Sequence, residues 1–132
     1  MALAPIPPRT LGAILVVIMI FGGSLRMLAL TKPFYVDEVT SLTVASQPLA
    51  SMAEVMRKID ASPALYPTAL HFCLKVSHTD VWARLLSALF GVAVLWAAYQ
   101  LASAAFGART GLWAAFVVAI APIHVEYAQY VR

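Results

Sequence analysis

Charge is scarce in this sequence: only 11% of its 132 residues are Asp, Glu, Lys or Arg, whereas 62% are hydrophobic. Together with a mean hydropathy of +0.84, this balance leaves more apolar surface than a soluble domain of this length can bury. We therefore exclude a soluble enzyme and expect an all-α integral membrane protein.

Cysteine and clustered basic residues are also scarce. The single cysteine, Cys73, cannot form an internal disulfide, and its apolar neighbours favour a packing role. No histidine or cysteine stands at metal-ligand spacing from His71, so we expect no metal site and no cofactor. The net charge of +3 suits membrane lipids as partners, but no basic cluster is dense enough to bind nucleic acid.

Three long apolar runs dominate what is present. They predict a Pro-rich leader (1–9), a first transmembrane helix (10–31), an external loop (32–80), a second transmembrane helix (81–106), a cytoplasmic turn (107–111) and a third transmembrane helix (112–130). Arg26, near the end of the first run, is expected to snorkel to the interface. The alternative for this run is a signal peptide with Arg9 before its apolar core, although no small-residue cleavage site follows.

The external loop is expected to contain helices of its own. Ser51 and Glu54 match a capping box, and apolar residues then recur at helical spacing, at Met52, Val55, Met56 and Ile59. We expect this amphipathic helix to lie on the membrane surface, and packing against the rest of the loop is the alternative. The apolar segment 61–74 is too short to span a bilayer, so it predicts a re-entrant or interfacial helix.

Two adjacent carboxylates, Asp37 and Glu38, follow the first apolar run. Carboxylates near lipid are costly, which favours a functional interpretation. The ordinary alternative is that Asp37 caps a short helix and that both acids lie in its positive first turn. These residues alone leave both interpretations open.

A second polar cluster follows the third apolar run and comprises His124, Glu126, Gln129 and Arg132. Because the first helix leads out to the loop, the second returns and the third leads out again, this cluster is expected on the same side of the membrane as Asp37. The positive-inside rule does not assign the absolute orientation, since a loop of about 50 residues is near the length at which the rule loses force.

Four short motifs, taken in order, carry a family resemblance. They are Tyr35-Val36-Asp37-Glu38, Ser62-Pro63-Ala64-Leu65-Tyr66 with His71 downstream, Arg84-Leu85-Leu86-Ser87 with Gly91, and Pro122-Ile123-His124 with Tyr127, Gln129 and Arg132. Their order resembles the N-terminal part of the C-type (GT-C) membrane glycosyltransferases, which include protein O-mannosyltransferases and lipid A aminoarabinose transferases. Ser62, Ala64 and Tyr130 depart from the family pattern, which has His, Pro and often Glu there. The motifs match only the first part of a typical member, so we expect the chain to be a fragment that is inactive alone.

The resemblance implies an enzyme of the bacterial plasma (inner) membrane that transfers a sugar from a polyprenyl-phosphate donor to an acceptor at the outer face. Attack by an acceptor hydroxyl calls for a general base, and the departing lipid phosphate calls for cations. Asp37 and Glu38 are the catalytic candidates. Asp37 is the expected base, because adjacent side chains point in different directions and only one of the pair can serve.

Six residues are candidates for binding the donor or the acceptor: Arg132, Arg84, Lys58, His71, His124 and Gln129. Guanidinium groups bind phosphate oxygens in pairs, so the two arginines lead this set. Anchoring of a helix end is the ordinary alternative for the cations, and a packed, hydrogen-bonded role is the alternative for His71. Two other functions stay open: a small non-enzymatic subunit or scaffold, and part of a transporter, although the spans lack the mid-helix acids typical of one.

Overall fold

The computed structural model describes residues 7–28, 36–59, 65–77 and 79–131, and within these ranges it consists of helices joined by short turns, with no strand. The helices are α1 (Pro8–Met27), α2 (Val36–Ala45), α3 (Leu49–Ile59), α4 (Leu65–Val76), α5 (Asp80–Phe106), α6 (Ala108–Ile120) and α7 (Pro122–Tyr127). The predicted all-α class is therefore confirmed for the described part of the chain.

Helices α1, α5 and α6 pack together as a bundle. Its core is formed by Leu15, Ile18, Leu95, Leu112, Ala115 and Ala119. The small alanines of α6 allow the helices to approach closely, as is common where apolar helices cross. Large apolar side chains on the outer faces of the same helices stay exposed, for example Val17, Leu101 and Trp113.

Two helices are long and apolar enough to cross a membrane, α1 with 20 residues and α5 with 27. At about 1.5 Å per residue they measure roughly 30 and 40 Å. The third predicted span is different, because α6 has only 13 residues. By length, two of the three predicted spans are therefore matched by helices that could cross a membrane, and the third span stays a prediction.

The third apolar run is not one continuous helix, and the expectation of a helix over 112–130 is wrong. Ala121 adopts an extended conformation (φ −62°, ψ 118°), as expected for a residue that precedes proline. Pro122 then occupies the first position of α7, where its missing N–H costs nothing. The chain bends here, and this bend directs α7 back over the end of the bundle.

The turn before α6 is also shorter than the predicted 107–111. Gly107 alone joins α5 to α6, with φ at +91°, a conformation that side chains disfavour. Its N–H closes α5 by donating to the carbonyl of Ser103 at 2.9 Å. Arg109 already belongs to α6.

Helices α4 and α2 pack on one end of the bundle, α4 against α5 and α2 against α4. Leu70 and Leu74 of α4 form a second core with Ala45 of α2, Ala83 of α5 and Val131. Helix α4 extends beyond the predicted segment 61–74, to Val76, and residues 61–64 lie outside the described ranges. Its location at a membrane interface stays a prediction.

The predicted capping box at Ser51 and Glu54 is wrong, because α3 begins earlier, at Leu49. The N–H of Met52 instead donates to the carbonyl of Pro48 at 2.9 Å. Met52 is buried within the protein, so part of the apolar face packs on the loop, as the alternative interpretation holds. That α3 lies on the membrane surface stays a prediction.

Candidate functional site

The polar segments of the chain meet at one end of the bundle. The side-chain amide of Gln129 donates to the carbonyl of Leu25 at the end of α1, at 2.9 Å. The N–H of Val131 donates to Glu38 Oε1 at 3.0 Å. The segment after α7 therefore lies beside α2, and that both lie on one side of a membrane stays a prediction.

Glu38 and Arg84 form a buried ion pair at the centre of this end. Arg84 Nε lies 3.2 Å from Glu38 Oε1 and Arg84 Nη2 lies 3.0 Å from Oε2, and each residue is only 1% exposed. The N–H of Val131 donates to the same carboxylate. Such a pair joins α2, α5 and the segment after α7, and a carboxylate fixed in this way serves as a structural contact.

Asp37 is exposed beside this pair. It is the second residue of α2, so it does not cap the helix, and the capping interpretation is wrong in that respect. Both acids do lie in the first turn, where the helix dipole favours negative charge. Because neighbouring residues of a helix point in different directions, burial of Glu38 leaves Asp37 outside the ion pair.

The position of Arg26 predicted that its side chain snorkels to the interface, and this prediction is wrong. Arg26 is buried, with only 1% of its surface exposed. Its Nη1 donates to the carbonyls of Gly22 at 2.8 Å and Ala119 at 3.4 Å, and its Nη2 donates to Val118 at 3.3 Å. Its Nε has no hydrogen-bond partner in the described part of the chain. The bonds to α6 explain why sequence reasoning missed this residue, since they join positions more than ninety residues apart.

A pocket of about 170 Å³ opens beside Arg26. Its polar wall consists of Arg26, Tyr66, Ser87, His124 and Tyr127. The hydroxyl groups of Tyr66 and Ser87 lie 2.6 Å apart. Phe90 and Val94 of α5 add an apolar wall. The pocket therefore has a cation at one side and apolar surface at another.

The predicted binding residues separate in the structure. Of the five that the structure describes, only His124 lines the pocket, and it is exposed. Arg84 is engaged by Glu38, and Arg132 lies outside the described residues. Lys58 forms an exposed pair with Glu54 on α3 at 2.8 Å. We expect no direct role in phosphate binding for Arg84 or Lys58.

The remaining polar predictions have structural contacts. His71 is buried and its Nδ1 lies 2.8 Å from the carbonyl of Ala45, which matches the packed, hydrogen-bonded alternative. Gln129 joins two segments, as described above. Burial raises the pKa of the Cys73 thiol, which disfavours the reactive thiolate and agrees with a packing role. Asp37 is not among the residues that line the pocket.

Comparisons of this chain with known protein families, with curated proteins and with solved structures find no match. Membership of the C-type glycosyltransferases therefore stays a prediction from the four sequence motifs.

Proposed function

We propose that this chain is the N-terminal part of a C-type glycosyltransferase of the bacterial plasma membrane, which transfers a sugar from a polyprenyl-phosphate donor to an acceptor at the outer face. The observation that carries the proposal is the convergence of the four motifs. Glu38 of the first motif forms an ion pair with Arg84 of the third, and it accepts a hydrogen bond from the N–H of Val131, which lies within the fourth. Tyr66 of the second is bonded to Ser87 of the third.

The membrane part of the proposal is supported by exposed apolar surface. Leu101 and Phe106 are each 77% exposed, which is costly in water and favourable against lipid tails. A core helix of a soluble protein would bury such residues. A cleaved signal peptide would not contribute Leu15 and Ile18 to the core of the bundle, as α1 does.

In the proposed reaction, Asp37 accepts the proton of the acceptor hydroxyl as the oxygen attacks the anomeric carbon. The bond from that carbon to the lipid phosphate breaks, and the phosphate leaves with the electron pair. Glu38 and Arg84 fix α2 against α5, so they position Asp37 without touching the substrate. This assignment separates the two adjacent acids into one base and one structural residue.

The experiment that tests the proposed function uses the purified full-length protein in liposomes with a radiolabelled polyprenyl-phosphate sugar. Several sugars are presented, because the chain does not define which one is transferred, together with a lipid extract as a source of acceptor. Label that moves from the donor to another molecule supports the proposal. A protein that is folded and transfers no sugar would instead support the alternative of a non-enzymatic subunit or scaffold.

Topology provides a prediction that needs no substrate. In a Cys73→Ala background, Ser46→Cys is expected to react with a membrane-impermeant maleimide in intact cells, because Ser46 lies in the proposed external loop and is exposed. Thr110→Cys, which is exposed at the other end of the bundle, is expected to react only after permeabilisation. Labelling in the reverse order would contradict the orientation, and labelling of both positions in intact cells would contradict the crossings.

A further inference from the structure

Arg26 is a buried cation whose described partners are all carbonyl oxygens. Within the described part of the chain, its three hydrogen bonds involve Nη1 and Nη2, and the Nε–H has no partner. Carbonyl dipoles compensate a full positive charge only in part, and an unpaired buried donor has a further free-energy cost. The site therefore has the chemistry to attract an anion.

The structure leaves space next to this guanidinium. The pocket volume of about 170 Å³ exceeds by about tenfold the 10–15 Å³ that one water molecule needs. Gly91, which also lines the pocket, lets the Arg26 side chain lie directly against α5, because a Cβ there would lie 2.7 Å from Arg26 Nε. His124 and the hydroxyl groups of Tyr66 and Ser87 provide further polar groups on the wall.

The walls also indicate what the anion is attached to. Phe90 and Val94 line the pocket and are at the same time exposed on the outer face of α5. This is the face that would contact lipid in the proposed membrane arrangement. A ligand with a charged head and an apolar chain fits both walls, whereas a free anion would leave the apolar wall without a contact.

We propose that this pocket binds the phosphate group of a lipid, and that Arg26 is its principal cation. Guanidinium donors bind phosphate oxygens through charge-assisted hydrogen bonds, and Nε is the donor that lacks a partner among the described residues. That the lipid is the sugar donor rests on the proposed glycosyltransferase function. The binding of a lipid phosphate does not require any transfer.

Arg26 also joins α1 to α6 through Val118 and Ala119. A purely structural role predicts that its removal lowers stability and leaves lipid affinity unchanged in the folded protein. The phosphate site predicts a loss of affinity in protein that is still folded. Affinity and thermal stability are therefore measured on the same samples.

The test uses the full-length protein in nanodiscs and measures binding of undecaprenyl phosphate, undecaprenol and inorganic phosphate by native mass spectrometry. Undecaprenyl phosphate is expected to bind at least tenfold more tightly than either of the others. Arg26→Gln is expected to weaken its binding at least tenfold, and Arg26→Lys is expected to restore part of the loss, since it restores the charge. Arg57→Gln removes an exposed arginine of α3 and is the matched control, with affinity unchanged.

The proposal would be overturned if wild type and folded Arg26→Gln bind undecaprenyl phosphate with equal affinity. It would also be overturned if the wild type binds undecaprenol as tightly as undecaprenyl phosphate. Tight binding of inorganic phosphate alone would overturn the lipid assignment. If Arg26→Gln does not fold, His124→Ala decides, because this residue is exposed on the same wall: several-fold weaker binding supports the site, and unchanged affinity overturns it. Lipid-phosphate binding without sugar transfer would contradict the proposed function and leave the phosphate site standing.

Discussion

Asp37→Asn is expected to lower the rate of sugar transfer by about 10²- to 10⁴-fold, the usual cost of losing a general base. Asparagine keeps the size of the side chain and removes the proton acceptor. Because Asp37 is exposed and outside the buried ion pair, we expect little change in thermal stability. Turnover of the polyprenyl-phosphate donor and the melting temperature are measured on the same preparation of full-length protein.

Asp80→Asn is the matched control for this substitution. Asp80 is also an exposed aspartate in the first turn of a helix, α5, so the two variants share any effect of the helix dipole. We expect Asp80→Asn to transfer sugar at the wild-type rate. Equal turnover in all three proteins would remove Asp37 from the mechanism and leave it a structural role in the first turn of α2.

The sequence locates the acidic pair and does not assign the role of each acid. Charge scarcity and the position after the first apolar run single out Asp37 and Glu38 together. Which of them is buried depends on the rotation of α2 relative to Arg84, and that rotation is set by packing of Ala45 against α4 and α5. The tertiary contacts that decide this matter join residues 46 positions apart.

The bundle could be predicted in outline, because apolar periodicity and length define α1 and α5. Two predictions at its ends, the turn over 107–111 and the helix over 112–130, are wrong for local reasons that can be found in the sequence. Gly107 alone forms the turn between α5 and α6, and Pro122 ends α6. Arg26 is a different case. Its position in an apolar run suits both snorkelling and burial, and only the approach of the α6 carbonyls distinguishes them.

Arg84→Met is expected to destabilise the fold by about 3 to 5 kcal/mol, the usual effect of leaving one partner of a buried ion pair without the other. Glu38 would stay buried and keep the hydrogen bond from the N–H of Val131, but it would lose the guanidinium that compensates its charge. The double variant Glu38→Gln with Arg84→Met is expected to recover part of this loss, since it removes the buried charge. The free energy of unfolding is measured by denaturant titration in detergent micelles.

Lys58→Met breaks the exposed pair between α3 residues Glu54 and Lys58 and is the matched control, with an expected cost of about 0 to 1 kcal/mol. Both substitutions replace a cation of an ion pair by methionine, so the difference between their costs reports the effect of burying the pair. If Arg84→Met costs no more than Lys58→Met, then the pair does not hold α2 against α5. Asp37 would then lack the fixed position that a general base needs, and the convergence of motifs would lose its support for catalysis.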